Sequence, residues 1–175
     1  MKEPAEHAIA AAIRMTERVD CQHSTRGAVI WDPETDGLYA GGSNGPPRGR
    51  ICDGSAACVA SCAARCMHAE ARALRGLYLR GALEMERIAR LELVHVKVVE
   101  GKLVPGKGPC CAPCSKEILD SGIAAVWLYQ ADSVLEPGAA ALQMLPAGHP
   151  GAWPSWIRWP AKLFDEYSRR ANGVY

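Results

Sequence analysis

The first third of the chain changes from a helical pattern of apolar residues to two strand-like runs. Between about Ala5 and Val19, apolar residues recur three and four positions apart, which predicts an amphipathic helix. Two apolar runs follow, Ala28 to Trp31 and Leu38 to Ala40, with the turn sequence DPETDG between them. This arrangement predicts a β-hairpin, which leads into the Gly- and Pro-rich loop GGSNGPPRGRICDGS.

Helical and strand patterns continue to alternate in the middle of the chain. An Ala-rich helical pattern runs from Ala56 to Leu79 and ends near Gly81. Leu91 to Val99 is β-branched and apolar, as expected of a central strand. A short helix is predicted from Ser115 to Ser121, followed by the strand IAAVWLY. Because helices alternate with strands, the pattern predicts a layered α/β fold.

The C-terminal part, from Gln130 onward, is less regular and contains a Pro-rich stretch with a cluster of aromatic residues. One interpretation is that the large rings pack this segment and a terminal helix onto the domain. The alternative is that the rings and the nearby Arg158 stack on bases. Pro154 and Pro160 suit a rigid segment, so we favour packing. The rings recur every three residues, as Trp153, Trp156 and Trp159.

Length and charge restrict the class of protein. A chain of 175 residues is most simply one domain with room for a hydrophobic core. The formal net charge of +1 does not indicate nucleic-acid binding through overall positive charge. It is compatible with a local basic pocket. No apolar run approaches the ~20 residues that cross a bilayer. The N-terminal helix carries several glutamates, unlike a signal peptide, so we expect a cytoplasmic protein without a membrane partner.

The chain contains eight cysteines, and their number and clustering bear on its chemistry. Without a secretory signal, a disulfide framework is not expected, and clustered cysteines favour metal binding or catalysis. Three of them fall within the stretch GPCCAPCSKEILDSG. The full set is Cys21, Cys52, Cys58, Cys62, Cys66, Cys110, Cys111 and Cys114.

The spacing of Cys111 and Cys114 predicts half of a zinc site. Two residues between them let both thiolates reach one ion, and the start of a helix stabilises anionic sulfur. His68 supplies a third ligand from the sequence CMHAEARAL, and a catalytic zinc keeps its fourth position open. Glu70 could then move a proton to and from water activated by the metal. Alone, the cysteine pair would also suit a redox pair or a structural zinc knuckle.

The combination of HAE with a downstream C-x-x-C resembles the zinc-dependent cytidine deaminase superfamily. CQHSTRGAVIWDPETDGLYAGGSNGPPRG is similar to the front of deoxycytidylate deaminases, and CCAPCSKEILDSGIAAVWLY resembles their segment after the zinc cysteines. The resemblance covers roughly Cys21 to Tyr129. It implies a three-layer α/β/α fold with a central mixed sheet of about five strands. It also implies a catalytic domain over residues 1–145, with the aromatic-rich extension of residues 146–175 packed on it.

The resemblance also selects the zinc ligands among the clustered cysteines. Counting back from SKEILDSGI selects Cys111 and Cys114, which with His68 would hold the catalytic zinc, and Glu70 would be the catalytic acid and base. In the family, a proline precedes the first ligand cysteine. Cys110 stands at that position here, after Pro109, and its role stays open.

A second, structural zinc is implied by some deoxycytidylate deaminases that this chain resembles. Its candidates are Cys21, ahead of the first strand, and Cys52, beyond the NGPPRG loop, with Cys58 and Cys62 next. Cys58, Cys62 and Cys66 recur every four residues and share one face if their segment is helical. The alternative is that these cysteines pack as small hydrophobic residues.

The resemblance implies a substrate and its contacts. Asn44 matches the loop asparagine that contacts the sugar, Arg48 and Arg50 offer charge for a 5′-phosphate, and Ala69 lies at the site between His68 and Glu70. We therefore expect hydrolytic deamination of a cytosine nucleotide, dCMP to dUMP with release of ammonia. The alternatives are the same chemistry on a nucleoside, a modified base or single-stranded nucleic acid, or a zinc-stabilised binding module without activity.

Two further expectations concern the rest of the molecule. Family members are commonly oligomeric, so a homo-oligomer is expected. His95, on the predicted central strand, is interpreted as a core or sheet-face histidine with its hydrogen bonds satisfied.

Overall fold

The structure is a computed structural model that describes residues 4–19, 21–22, 25–47, 51–81, 85–106, 111–130 and 155–171. The helices in these ranges are α1 (Glu6–Thr16), α2 (Ala56–Arg65), α3 (Ala69–Leu79), α4 (Met85–Ile88), α5 (Ala112–Ser121) and α6 (Ala161–Ala171). The strands are β1 (Thr25–Trp31), β2 (Leu38–Ser43), β3 (Glu92–Val99), β4 (Lys102–Val104), β5 (Ala125–Gln130) and β6 (Ser155–Pro160).

The strands form one mixed sheet in the order β2-β1-β3-β5-β6, and β4 pairs with β3 beside this path. β3 and β5 run parallel, whereas β1 is antiparallel to both of its neighbours and β6 is antiparallel to β5. A parallel pair needs a crossover, and here the chain passes through β4 and α5 before it returns as β5.

Helices cover both faces of the sheet, which confirms the predicted three-layer α/β/α fold. α1 packs on one face, against a cluster formed with Val29, Val94 and Trp127. α3, α5 and α6 cover the opposite face, where the larger core cluster contains Leu74, Leu93, Ile118, Leu128 and Phe164. Alternate residues of the central strands therefore enter different cores, which is why β3 and β5 are apolar almost throughout.

Two glycines allow helices to lie directly on the sheet. A Cβ atom at Gly42 of β2 would lie 2.3 Å from the backbone oxygen of Ala69 and 2.6 Å from the backbone nitrogen of Ala73. On the other face, a Cβ at Gly27 would lie 2.0 Å from the backbone oxygen of Ala12. The first turn of α3 is thus held against β2 at a distance that no other residue at position 42 would permit.

The helical pattern predicted from Ala56 to Leu79 is divided into two helices, with a break at residues 66–68. Met67 leaves the helical path because it forms an antiparallel bridge with Gly45, whose amide and carbonyl exchange hydrogen bonds with it at 3.0 and 2.9 Å. α3 then starts afresh after His68. Cys66 lies beyond the end of α2, so the four-residue recurrence of cysteines does not continue along one helical face.

The aromatic C-terminal segment is part of the sheet and its core. β6 pairs with β5 along its whole length, and Trp159 is buried in the larger core cluster, as the packing interpretation predicts. The Trp156 ring packs against that of Tyr129, with centroids 5.5 Å apart. Arg158 donates to Glu92 Oε1 at 2.6 and 2.8 Å instead of lying free for bases.

α6 continues from β6 and packs on α5, where the hydroxyl of Ser115 donates to Asp165 Oδ1 at 3.1 Å. Trp153, Pro154 and the predicted domain boundary between residues 145 and 146 lie outside the described residues. Within the described ranges, none of the helices combines the length and the apolar character needed to cross a membrane.

Candidate functional site: a metal centre at two helix N-termini

Three side chains with metal-ligating atoms meet where α3 and α5 begin. His68 Nδ1 lies 3.3 Å from Cys111 Sγ and 3.2 Å from Cys114 Sγ. All three ligand atoms lie within 4.8 Å of one another. The structure therefore brings together the three residues predicted as zinc ligands, although the cysteines lie more than 40 positions after the histidine in the chain.

Both helices point their N-termini at this cluster. His68 is the N-cap residue of α3 and Cys111 is the N-cap residue of α5, and both have extended backbone conformations. Neither side chain caps its own helix, so each is available to the cluster. The positive ends of two helix dipoles therefore meet near the sulfur atoms, where they would offset part of the negative charge of metal-bound thiolates.

The donor set fits a zinc ion. One imidazole nitrogen and two cysteine sulfurs are common zinc ligands, and tetrahedral coordination places nitrogen and sulfur ~3.6 Å apart. The observed distances from His68 to the two sulfurs are slightly shorter than this. Small adjustments of these side chains would bring all three into the first coordination shell.

Without a cation, the three groups share protons. A hydrogen bond with Cys114, together with burial, raises the pKa of Cys111 to about 12. A hydrogen bond with Cys111 raises the pKa of His68 above its ordinary value. Protons thus occupy the positions that a divalent cation would take, and metal binding would release them.

Glu70 is the second residue of α3, close to the three metal-ligating side chains, and is almost fully buried. Burial raises the pKa of Glu70, but His95, a backbone N–H and His68 outweigh it, so the pKa lies below its usual value. The carboxylate is therefore ionised at neutral pH and can accept a proton. Its position beside His68 is the one that the HAE sequence predicts.

His95 is a second buried polar group at the site. Its place on the face of the central strand is as predicted, but the prediction that its hydrogen bonds are satisfied is wrong. Its Nε2 atom lies 3.6 Å from Glu70 Oε1 and has no hydrogen-bond partner among the described residues. Burial lowers the pKa of His95, whereas the nearby carboxylate of Glu70 acts in the opposite direction. The signal in the sequence was a single histidine inside the otherwise apolar stretch ELVHVKVV.

Hydrogen bonds connect the loop that carries Asn44 to α3 and to the residue before His68. Asn44 is buried and accepts the backbone N–H of Arg26 through Oδ1 at 2.7 Å. Arg72 of α3 donates to the carbonyl oxygens of Gly45 and Pro46, at 3.2 and 2.5 Å. With the bridge between Gly45 and Met67, these contacts keep Asn44 next to the metal-ligating corner. Sequence reasoning missed this role of Arg72.

Of the remaining predicted substrate contacts, the structure describes Ala69 but not the two arginines. Ala69 is fully buried between His68 and Glu70, in the first turn of α3. Arg48 and Arg50 lie outside the described residues, as does Cys110. Their predicted roles stay predictions.

The cysteines proposed for a second zinc come partly together. Cys52 Sγ lies 3.5 Å from Cys58 Sγ and accepts the backbone N–H of Gln22, the neighbour of Cys21, at 3.4 Å. That hydrogen bond from Gln22 lowers the pKa of Cys52, with smaller contributions from Cys58 and Cys21. Cys62 belongs to α2, but its side chain is not described. In the described part of the chain, only His68, Cys111 and Cys114 form a compact three-ligand group, so the second zinc stays a prediction.

Comparisons with known proteins address the fold. No protein-family model matches the chain, and no curated protein sequence does so either. The crystal structure of a cytidine deaminase from Burkholderia pseudomallei matches with a TM-score of 0.53 at 16% identity, over 92% of this chain and 96% of that one. A dCMP deaminase from the cyanophage S-TIM5 is 22% identical over 69% of this chain and 78% of that chain, with a TM-score of 0.49.

The first of these likenesses spans nearly the whole of both chains. It shows that this protein has the α/β fold of cytidine deaminases. At this level of identity the comparison establishes the fold, and the activity has to be argued from the site itself.

Proposed function

We propose that the protein is a zinc-dependent hydrolytic deaminase that acts on a cytosine nucleotide and converts dCMP to dUMP with release of ammonia. The observation that carries this proposal is the convergence of His68, Cys111 and Cys114 at two helix N-termini with a buried, ionised Glu70 beside them. On a cytidine deaminase fold, this set supplies both a metal site and a proton carrier.

His68, Cys111 and Cys114 would hold the zinc, leaving the fourth position for water. When bound, the ion would lower the pKa of that water towards ~7 and so provide a nucleophile at neutral pH. The chain contributes the electrostatics around it, because two helix N-termini offset the negative charge of the thiolates.

Glu70 moves the protons of the reaction. As a carboxylate it would accept a proton from water and deliver it to N3 of the pyrimidine. It would then carry a second proton, from the hydroxyl group added at C4, to the departing amine, which leaves as ammonia. Its low pKa suits the first of these steps, and its place in the first turn of α3 fixes its distance to the ligand His68. His95 stands against the same carboxylate and restricts its orientation.

The nucleotide class of the substrate rests on the resemblance of the Asn44 loop to that of deoxycytidylate deaminases. Asn44 would contact the sugar, the region of Ala69 would face the pyrimidine, and the following loop with Arg48 would approach the 5′-phosphate. We also expect a homo-oligomer in the cytoplasm, because such deaminases are commonly oligomeric. Size-exclusion chromatography with light scattering tests the oligomer.

A deamination panel tests the activity and the substrate together. Zinc-loaded protein is incubated with dCMP, CMP, deoxycytidine, cytosine, the 5-methyl forms and short single-stranded oligonucleotides, and ammonia release is measured. The expected result is fastest turnover of dCMP. Turnover confined to another member of the panel would retain the chemistry and overturn the nucleotide assignment. Full zinc occupancy without ammonia from any substrate would favour a zinc-stabilised binding module.

A further inference from the structure

The face of the sheet that α3, α5 and α6 cover changes from apolar to polar along three adjacent strands. In the register of the sheet, Ala28 and Leu128 flank His95. Two residues away from these positions, and hence on the same face, stand Arg26 on β1, Lys97 on β3 and Gln130 on β5. These polar residues line a pocket together with His95, Gly106, Leu128 and Tyr129.

Two nitrogen atoms in this pocket have no hydrogen-bond partner among the described residues. Gln130 is fully buried, and its Oε1 accepts the indole N–H of Trp159 at 3.3 Å, which leaves Nε2 as an unpaired donor. His95 Nε2 is also unpaired and more than nine-tenths buried. Native proteins rarely bury polar groups without partners, so the unpaired amide nitrogen of Gln130 favours a hydrogen-bond acceptor in the pocket.

The positive charge of the residues that line the pocket indicates that the ligand is negatively charged. Arg26 and Lys97 contribute two cationic side chains, and the described lining residues include no carboxylate. A ligand group with several negatively charged oxygens matches both the cations and the amide donor. The pocket also adjoins the candidate active site, because His95 separates it from Glu70 by a single 3.6 Å contact.

We propose that this pocket binds a phosphate group of the substrate, with Arg26 and Lys97 balancing its charge and Gln130 donating through Nε2. Trp159 is a positioning residue, since its indole N–H fixes which end of the Gln130 amide faces the pocket. The identity of the ligand as a substrate rests on the proposed function, but phosphate binding does not. This assignment places phosphate recognition on the sheet, in addition to the loop around Arg48.

A phosphate could belong to a mononucleotide or to a nucleic-acid strand. Gln130 and His95 line the pocket and are buried, which suits a terminal group better than a backbone that must enter and leave. The pocket therefore favours the 5′-monophosphate of a single nucleotide.

Binding measurements separate this proposal from the proposed function. Dissociation constants for dCMP, deoxycytidine and inorganic phosphate are measured by calorimetry on wild-type protein and on Arg26→Gln, Lys97→Gln and Gln130→Glu. The last change keeps the oxygen that accepts from Trp159 and replaces the donor with an acceptor. Lys102→Gln is the matched control, because this exposed lysine on β4 undergoes the same loss of charge outside the pocket.

The expected result is that wild-type protein binds dCMP at least tenfold more tightly than deoxycytidine. Each pocket variant should reduce this preference about tenfold or more and weaken inorganic phosphate, whereas Lys102→Gln should do neither. Thermal melting of each variant identifies any that fail to fold, and the remaining pocket variants then decide. Equal binding of dCMP and deoxycytidine, or equal effects of Lys97→Gln and Lys102→Gln, would overturn the proposal.

Two other outcomes have definite meanings. A short oligonucleotide that binds more tightly than dCMP and is weakened by the same variants would overturn the mononucleotide assignment. If no substrate releases ammonia while phosphate binding and its loss in the variants persist, the phosphate pocket stands and the deaminase proposal falls.

Discussion

At the scale of single residues, Glu70 separates metal binding from catalysis. Glu70→Gln keeps the size of the side chain but removes its ability to carry a proton. We expect full zinc content and a turnover at least ~10²-fold lower, since general acid–base groups typically contribute ~10²–10⁴-fold. Ammonia release and metal analysis on the same preparation measure the two effects.

Glu117→Gln is the control for Glu70→Gln, because it makes the same chemical change at an exposed position of α5. It should leave both turnover and zinc unchanged. Turnover of Glu70→Gln within tenfold of wild type would exclude the proposed proton transfer.

The three clustered cysteines should differ in their importance for the metal. Cys111 and Cys114 both lie within 3.3 Å of His68 Nδ1, so we expect Cys111→Ala and Cys114→Ala to lose zinc. Cys110→Ala should keep it, because the two-residue spacing that reaches one ion starts at Cys111. Zinc analysis of the three purified variants checks this order, and zinc loss in Cys110→Ala alone would mean that the ligand register is wrong.

The sequence predicted the convergence of His68, Cys111 and Cys114 more successfully than it predicted their surroundings. His68, Cys111 and Cys114 stand in short motifs whose spacing is itself the chemical requirement, so no tertiary information was needed. His95 and Gln130 acquire their meaning only from strand register, which brings β1, β3 and β5 side by side. A residue-by-residue pattern shows which positions alternate, but not which residue of another strand will lie opposite.

At the scale of elements, the contact between β2 and α3 should control the site. Gly42→Ala would place a Cβ atom against the backbone of α3, and such overpacking typically lowers the free energy of unfolding by ~1–3 kcal/mol. Since α3 carries His68 and Glu70, we also expect weaker zinc binding and slower turnover. Urea unfolding and zinc titration measure these two effects.

Gly76→Ala is the control for Gly42→Ala, because a Cβ there would only reach the methyl group of Ala40 at 3.4 Å. Inside a helix, this change should raise the free energy of unfolding by ~0.5–1 kcal/mol. Equal stability of the two variants would show that the close approach at Gly42 is not required.

Elements with a strong internal pattern were predicted well. The period of α1, the hairpin of β1 and β2, and the apolar runs of β3 and β5 are local properties, and all appear in the structure. The helical pattern from Ala56 to Leu79 did not show where α2 ends, because the break depends on the bridge between Met67 and Gly45, which lie more than 20 residues apart. Local helix propensity favoured continuation, and the tertiary hydrogen bonds prevailed.

At the scale of the whole molecule, the C-terminal strand completes the core. Trp159 is only 4% exposed, so Trp159→Ala should lower the free energy of unfolding by ~3–5 kcal/mol. Trp156→Ala removes a half-buried ring beside Tyr129 and should have a smaller effect. Urea unfolding ranks the two variants. Variants that unfold like wild type but lose one class of substrate would instead make this segment a lid.

A second zinc would belong to the same scale, since it would connect the segment before β1 to α2. We expect about two zinc ions per chain, and Cys52→Ala should remove about one of them and lower the melting temperature, because structural zinc stabilises the folded state. Metal content and thermal melting of wild type and variant measure this. Fully active protein with one zinc per chain, unchanged by Cys52→Ala, would contradict the prediction.

The long separation between the metal ligands has a consequence for folding as well as for chemistry. An ion shared by His68, Cys111 and Cys114 ties together positions 43 and 46 residues apart. By the estimate used for covalent cross-links, closing a loop of this size removes entropy worth about 4 kcal/mol from the unfolded chain. Glu70→Gln should abolish turnover but leave this zinc-mediated link between distant residues intact. The supply of zinc would therefore set how much of the protein is folded at all, in addition to how much of it is active.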